Sequence, residues 1–321
     1  MRSTNLLQLL VLALFLGCSR TTPAAGPAPA AQEHAAHAVA DHQDEPGEQM
    51  RHNRHFLIST DSLAPRLDRP GTIVIHVGRS DTAYLAGHIP GARFLPLAAV
   101  AATVDSLPNE FPPLEQMRRA FEALQIGDSN RIVIYGDDPG LLAARAWIAL
   151  DLLGQADRAA LLDGGLGKWR AENRPVETGP TMHTMQFVPF TPRPQPDRVV
   201  SAEWVRARLR DSTVLLVDAR PATQFASGHL PLARNIFWMN AFVARDNPVL
   251  RPMHELHHAL WQPAGADQPY VRTVVVYCQS GMQASHGYLV ARYIGYPDVR
   301  LYDGSLADWI RRPSDAFPVE R

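Results

Sequence analysis

The stretch Tyr84-Leu85-Ala86-Gly87-His88-Ile89-Pro90-Gly91-Ala92-Arg93 returns 141 positions on, His88 to His229, as Phe225-Ala226-Ser227-Gly228-His229-Leu230-Pro231-Leu232-Ala233-Arg234. A second pair keeps nearly the same interval: Leu162-Asp163-Gly164-Gly165-Leu166-Gly167-Lys168-Trp169 returns as Tyr302-Asp303-Gly304-Ser305-Leu306-Ala307-Asp308-Trp309. Solenoid repeats run about 20 to 50 residues, so a period this long means that a whole domain is present twice. Between the repeated motifs, residues 72–77, 131–135, 214–217 and 273–277 are short β-branched runs without polar alternation, as expected of parallel strands buried on both faces. Residues 114–126 set Leu114, Met117, Phe121 and Leu124 on one helical face before Gly127, and 201–209 and 283–294 also read as helices. Strands alternating with helices predict an α/β fold: two tandem domains, each a parallel sheet with helices on both faces.

The composition fits. Of 321 residues, 46% are hydrophobic and 20% charged, enough for two cores. Lys plus Arg number 31 against 32 Asp plus Glu, and a net charge of -1 gives no general attraction to nucleic acid. Only Cys18 and Cys278 are present, which excludes a disulfide-stapled scaffold and a four-cysteine zinc site.

Cys18 belongs to the N-terminus. Arg2 precedes an apolar run over residues 6–16, which has the charge and length of a signal peptide but is too short to span a bilayer stably. Phe15-Leu16-Gly17-Cys18-Ser19 resembles a bacterial lipoprotein cleavage box, with Phe15 where that pattern usually has Leu. The resemblance implies a lipidated Cys18 and an exported chain, anchored to a membrane and facing the periplasm or exterior; a plain secretory signal is the alternative. Residues 19–55 are rich in Ala, Pro and His and read as a disordered tether. Its five histidines, His34, His37, His42, His52 and His55, are irregularly spaced, so a solvated linker is preferred to a metal site. The repeats then occupy 56–178 and 199–321, joined by a proline-rich crossing at 179–198.

Cys278 ends the strand-like run at 273–277 and begins Cys278-Gln279-Ser280-Gly281-Met282-Gln283-Ala284-Ser285-His286. A thiol at the carboxyl end of a parallel strand, just before a helix, lies where open α/β sheets place ligands. Loop amides and the helix dipole favour an anion there, so the reading expects a lowered thiol pKa and an open turn.

These motifs, in this order, resemble the rhodanese family of sulfurtransferases, specifically its tandem-domain members: Gly-His-Ile-Pro-Gly-Ala at 87–92, Val-Asp-Ala-Arg at 217–220, Gly-His-Leu-Pro at 228–231, the Cys278 loop, and Tyr-Asp-Gly-Ser at 302–305. The resemblance implies a catalytic second domain and a first domain without the nucleophile, and Gly136 indeed stands in the cysteine's place. It implies that Cys278 takes sulfur from a donor as a persulfide and passes it to cyanide or a thiol, with no metal or organic cofactor. Arg220 and the loop residues Gln279, Ser280, Gly281, Met282 and Gln283 would bind the anionic donor, with Asp218, His88 and His286 as supporting residues. Asp218 and both Gly-His turns are expected to be chiefly structural, as are the Asp-Gly turns and the tryptophans after them. Thiosulfate is the donor expected, and 3-mercaptopyruvate is the alternative. A non-catalytic redox-sensing module is a further alternative. A cysteine phosphatase is not, because Ala284 stands sixth after Cys278 where those enzymes need arginine.

Overall fold

The strand-forming runs assemble into two parallel sheets in the computed structural model, which describes residues 53–182, 189–245, 247–268 and 270–321. The signal, the Cys18 cleavage box, His34, His37, His42 and His52 lie outside the described residues. The first repeat contributes β1 (Leu57–Ile58), β2 (Thr72–Gly78), β3 (Arg93–Pro96), a hairpin of β4 (Ala102–Val104) and β5 (Leu107–Glu110), then β6 (Arg131–Gly136) and β7 (Ala159–Leu162). The second contributes β8 (Val214–Asp218), β9 (Arg234–Asn235), a hairpin of β10 (Phe242–Ala244) and β11 (Asn247–Leu250), then β12 (Thr273–Tyr277) and β13 (Asp298–Leu301). The sheets run β1-β7-β6-β2-β3 and β13-β12-β8-β9, every pairing parallel, and the hairpins stand apart as two-stranded ribbons. Parallel pairing requires crossovers, and these put helices on both faces.

Two of those helices are equivalent in the repeats and carry the molecule's centre. Leu141–Leu152 is buried from Leu142 to Leu152, and Met282–Tyr293 is buried over most of its length. A helix apolar all round must be covered on all sides, and one core of side chains runs through both halves, including Trp147, Ala144, Leu289 and Val290. Each fully buried aliphatic side chain contributes about 1.5–3 kcal/mol relative to exposure, so the shared core fuses the repeats, and the described residues fall within one compact unit. Each half keeps a smaller core on its outer face, anchored by Trp169 in one and Trp309 in the other.

The helix expected over 114–126 stops earlier, at Leu114–Ala123. Gln125 takes a left-handed φ of 53°, and the Ile126 amide turns back to the Phe121 carbonyl, closing the helix before it reaches Gly127. Ser201 caps its helix as its sequence position suggested, accepting a bond from the Trp204 amide.

Candidate active site

Strand β12 delivers Cys278 to the sheet's carboxyl edge, where the chain turns into the Met282–Tyr293 helix. Gly281 makes the turn at φ 81°, and a Cβ there would stand 2.2 Å from Asp303 Oδ1, so only glycine fits. Ser305 fastens the loop from beneath: its hydroxyl accepts the Cys278 and Gly281 amides at 3.1 and 3.2 Å and donates to the Tyr302 carbonyl. It does so at φ 54°, a conformation costly for a residue with a side chain. The corresponding residue of the first repeat is Gly165, at φ 55°. Asp-Gly-Ser against Asp-Gly-Gly is the sequence signal for this loop fastener, a role beyond the architectural one expected of the turn.

The Cys278 environment differs from the sequence expectation. The residue is 1% exposed, and burial pushes its thiol above the ordinary value. The amides of Ala284, Ser280 and Gln283 and the Ser305 hydroxyl pull it down without reversing the shift. The nest for an anion is present as anticipated, but desolvation outweighs it while the sulfur is a resting thiol.

Above the thiol opens a cleft of about 820 Å³ lined by Gln279, Ser280, Met282 and Gln283 of the loop and by Arg220. Gly281 does not line it, because its α-carbon packs against Asp303. Arg220 is buried and held by Asp218, whose carboxylate accepts from Nε and Nη2, while Nη2 also donates to the Gly228 carbonyl. Asp218 thereby positions a cation beside the cysteine, and Nη1 donates to none of the described residues. Two cations that the sequence reading missed line the same cleft, Arg79 from the first repeat and Arg321. Among the described residues no acidic side chain lines it. Arg79 was legible in principle, since it sits 141 positions before Arg220 in the duplicated pattern.

The first repeat also closes the site. Its hairpin brings Asn109, whose side-chain amide donates to Ser280 Oγ at 3.0 Å, and Phe111, whose backbone amide donates to Asp303 Oδ2 at 2.9 Å. Arg145, from the Leu141–Leu152 helix, reaches across to donate to both Asp303 oxygens at 2.6 and 2.8 Å, stacked over the Phe111 ring. Asp303 is therefore the joint between the active loop, its neighbour's hairpin and its neighbour's helix.

His88 and His286 are not at this cleft. His88 stacks on Tyr84 and bonds to the Tyr84 carbonyl and Thr181 Oγ1, which holds the Gly-His turn in place. His229 repeats the arrangement on Phe225. His286 follows Gly281 by five residues, far enough around the helix to leave the thiol and face the other repeat, 3.5 Å from where a Cβ on Gly140 would lie.

That other repeat has the same scaffold with a different strand-end loop. Tyr135 and Tyr277 receive equivalent amide bonds from Ile89 and Leu230, so Gly136 and Cys278 follow at equivalent strand ends. Where the second loop turns its amides on sulfur, the first turns those of Gly140 and Leu142 on Asp138 Oδ1 at 3.0 and 3.2 Å. An internal carboxylate occupies the position of the anion nest in the half that has Gly136 in place of a cysteine.

A family model described as rhodanese-like domain matches residues 59–172 and 201–312. The chain belongs to the rhodanese family. Rhodanese-type sulfur transfer is its class of activity. This rhodanese is 30% identical over 280 residues to a probable 3-mercaptopyruvate sulfurtransferase of Pseudomonas aeruginosa, covering 80% of this chain and 95% of that one. A thiosulfate sulfurtransferase of Azotobacter vinelandii is 29% identical over 273 residues, covering 83% and 97%. Among solved structures, SseA from Escherichia coli, described as a 3-mercaptopyruvate sulfotransferase with the rhodanese fold, matches with a TM-score of 0.68 at 27% identity, covering 78% of this rhodanese and 98% of that chain.

Proposed function

We propose that this rhodanese moves the outer sulfur of thiosulfate to cyanide or a thiol through a persulfide on Cys278. The observation that carries this reading is the cleft itself: a thiol at its floor and, among the described residues, three guanidinium groups on its walls and no acidic side chain. A dianion gains more from such a field than a monoanion does. In the first step the Cys278 thiolate attacks the outer sulfur, the S–S bond of thiosulfate breaks, and sulfite leaves with the bonding pair. The persulfide anion, Cys278–S–S⁻, is then held by the Ser280, Gln283 and Ala284 amides, which are already in place. Cyanide attacks the terminal sulfur, thiocyanate departs and the thiolate is restored.

A second reading, with 3-mercaptopyruvate as donor, is favoured by the similarity to the Pseudomonas protein, whose name carries that substrate. Intact mass spectrometry separates the two. Thiosulfate is expected to add one sulfur atom to the wild type and none to Cys278→Ser, and cyanide to remove it. Faster loading by 3-mercaptopyruvate would make that the donor, and no mass gain from either would overturn the enzyme reading.

A further inference from the structure

A second cavity, of about 530 Å³, lies between the repeats at the end of β6, beside Gly136 of the first and His286, Phe242 and Leu250 of the second. It is the counterpart of the space that Arg145 fills in the catalytic half. Arg145 and His286 each stand five residues after the glycine that opens their helix, Gly140 in one and Gly281 in the other. Asp163 and Asp303 correspond in the same way: Leu250 donates its amide to Asp163 as Phe111 does to Asp303, both at 2.9 Å. In the catalytic half the carboxylate is completed by a guanidinium. In the first half the arginine is replaced by a shorter histidine, and Asp163 has no cation within 4 Å among the described residues. Burial, offset in part by the Leu250 amide and by the more distant charge of Lys168, pushes its carboxyl above the usual range.

Other features show a space shaped for an occupant. His286 is 1% exposed, lines the cavity, and has no hydrogen-bond partner for Nδ1. Burial pushes it down to about 3, so it is a neutral imidazole. A Cβ on Gly165 or Gly167 would meet nothing within 4 Å, and leucines and Phe242 supply apolar wall. Asp138 lines the cavity as well, and Asp137 is paired with His76. The cations on the lining, Arg170 and Arg245, are both exposed, where solvent screens them.

We propose that this cavity binds a small organic cation, a guanidinium or primary ammonium on a short apolar chain, its head meeting Asp163 as Arg145 meets Asp303. The neutral His286 ring offers a further polar contact, and the chain lies along the apolar wall. The catalytic cleft, ringed by arginines, repels the same ligand, so the two sites select opposite charges.

Calorimetric titration of the full chain with agmatine, with hexanoate as the anionic counterpart, tests the proposal. Agmatine is expected to bind at one site with a Kd below about 1 mM. Asp163→Asn, which keeps an acceptor for the Leu250 amide, should weaken binding at least about tenfold by removing a charge-assisted bond. Gly167→Phe should block the cavity from an exposed helical position. His286→Arg should abolish binding while raising the melting temperature, because the chain then supplies the guanidinium itself. Absence of saturable agmatine binding, equal affinity for hexanoate, or wild-type binding by Asp163→Asn would each overturn it. None of these readouts depends on the sulfur donor.

Discussion

Cys278 is subject to opposed influences: burial raises its thiol, while three amides and a hydroxyl wait for negative charge on the sulfur. The balance predicts the pH profile. With the free-enzyme pKa raised, the thiolate fraction grows as pH rises, so kcat/KM for thiosulfate should climb from pH 7 to 9, approaching about tenfold per unit. A plateau reached below pH 8 would show a thiol already ionised in the cleft. Arg79 is the other residue whose effect is specific. Arg79→Ala should raise the thiosulfate KM about tenfold at low salt, with a smaller effect at high salt, where exposed charges are screened. Steady-state kinetics at two ionic strengths check this, and an unchanged KM removes Arg79 from the donor site. Cys278, Asp218 and Arg220 stood out in one repeat's motifs. Arg145 did not, because its partner Asp303 lies 158 residues away and the contact exists only after two helices cross.

At the scale of elements, the hairpins are what the sequence reading lacked. β-branched runs without polar alternation pointed to the sheets, whereas β4–β5 and β10–β11 are ribbons of three or four residues a strand whose value lies in the half they reach into. The first hairpin carries a titrating group there. Burial, then the charge of Asp303, pushes the Glu110 carboxyl up to about 8, and its Oε1 has no partner. The folded state thus keeps a proton that the unfolded chain releases near the ordinary glutamate value, so stability falls as pH rises between those points and levels off above about 8. Glu110→Gln should flatten part of that slope and stabilise the protein at pH 8. Urea unfolding at pH 5, 6.5 and 8 reads the difference, and parallel curves for the two proteins would show Glu110 to be silent.

Over the whole molecule, the fused core and the Arg145–Asp303 pair make each half part of the other's interior. Unfolding should therefore be a single transition, with tryptophan fluorescence and far-UV circular dichroism coincident. Arg145→Met leaves Asp303 buried without its cation and should cost about 3–5 kcal/mol; the coincident transition should move as one, and separation into two steps would show the halves to be independent. The crossed hairpins also bear on recombination. Each strand-end loop is covered by a ribbon encoded in the other repeat, so the half that carries Cys278 should not behave as a transferable cassette. A chimera that imports a relative's residues 199–321 would set a foreign loop under a native cover. Exchanging the loop between relatives with its cover intact should therefore require moving 102–111 together with 199–321, two separate stretches of gene transferred as one unit.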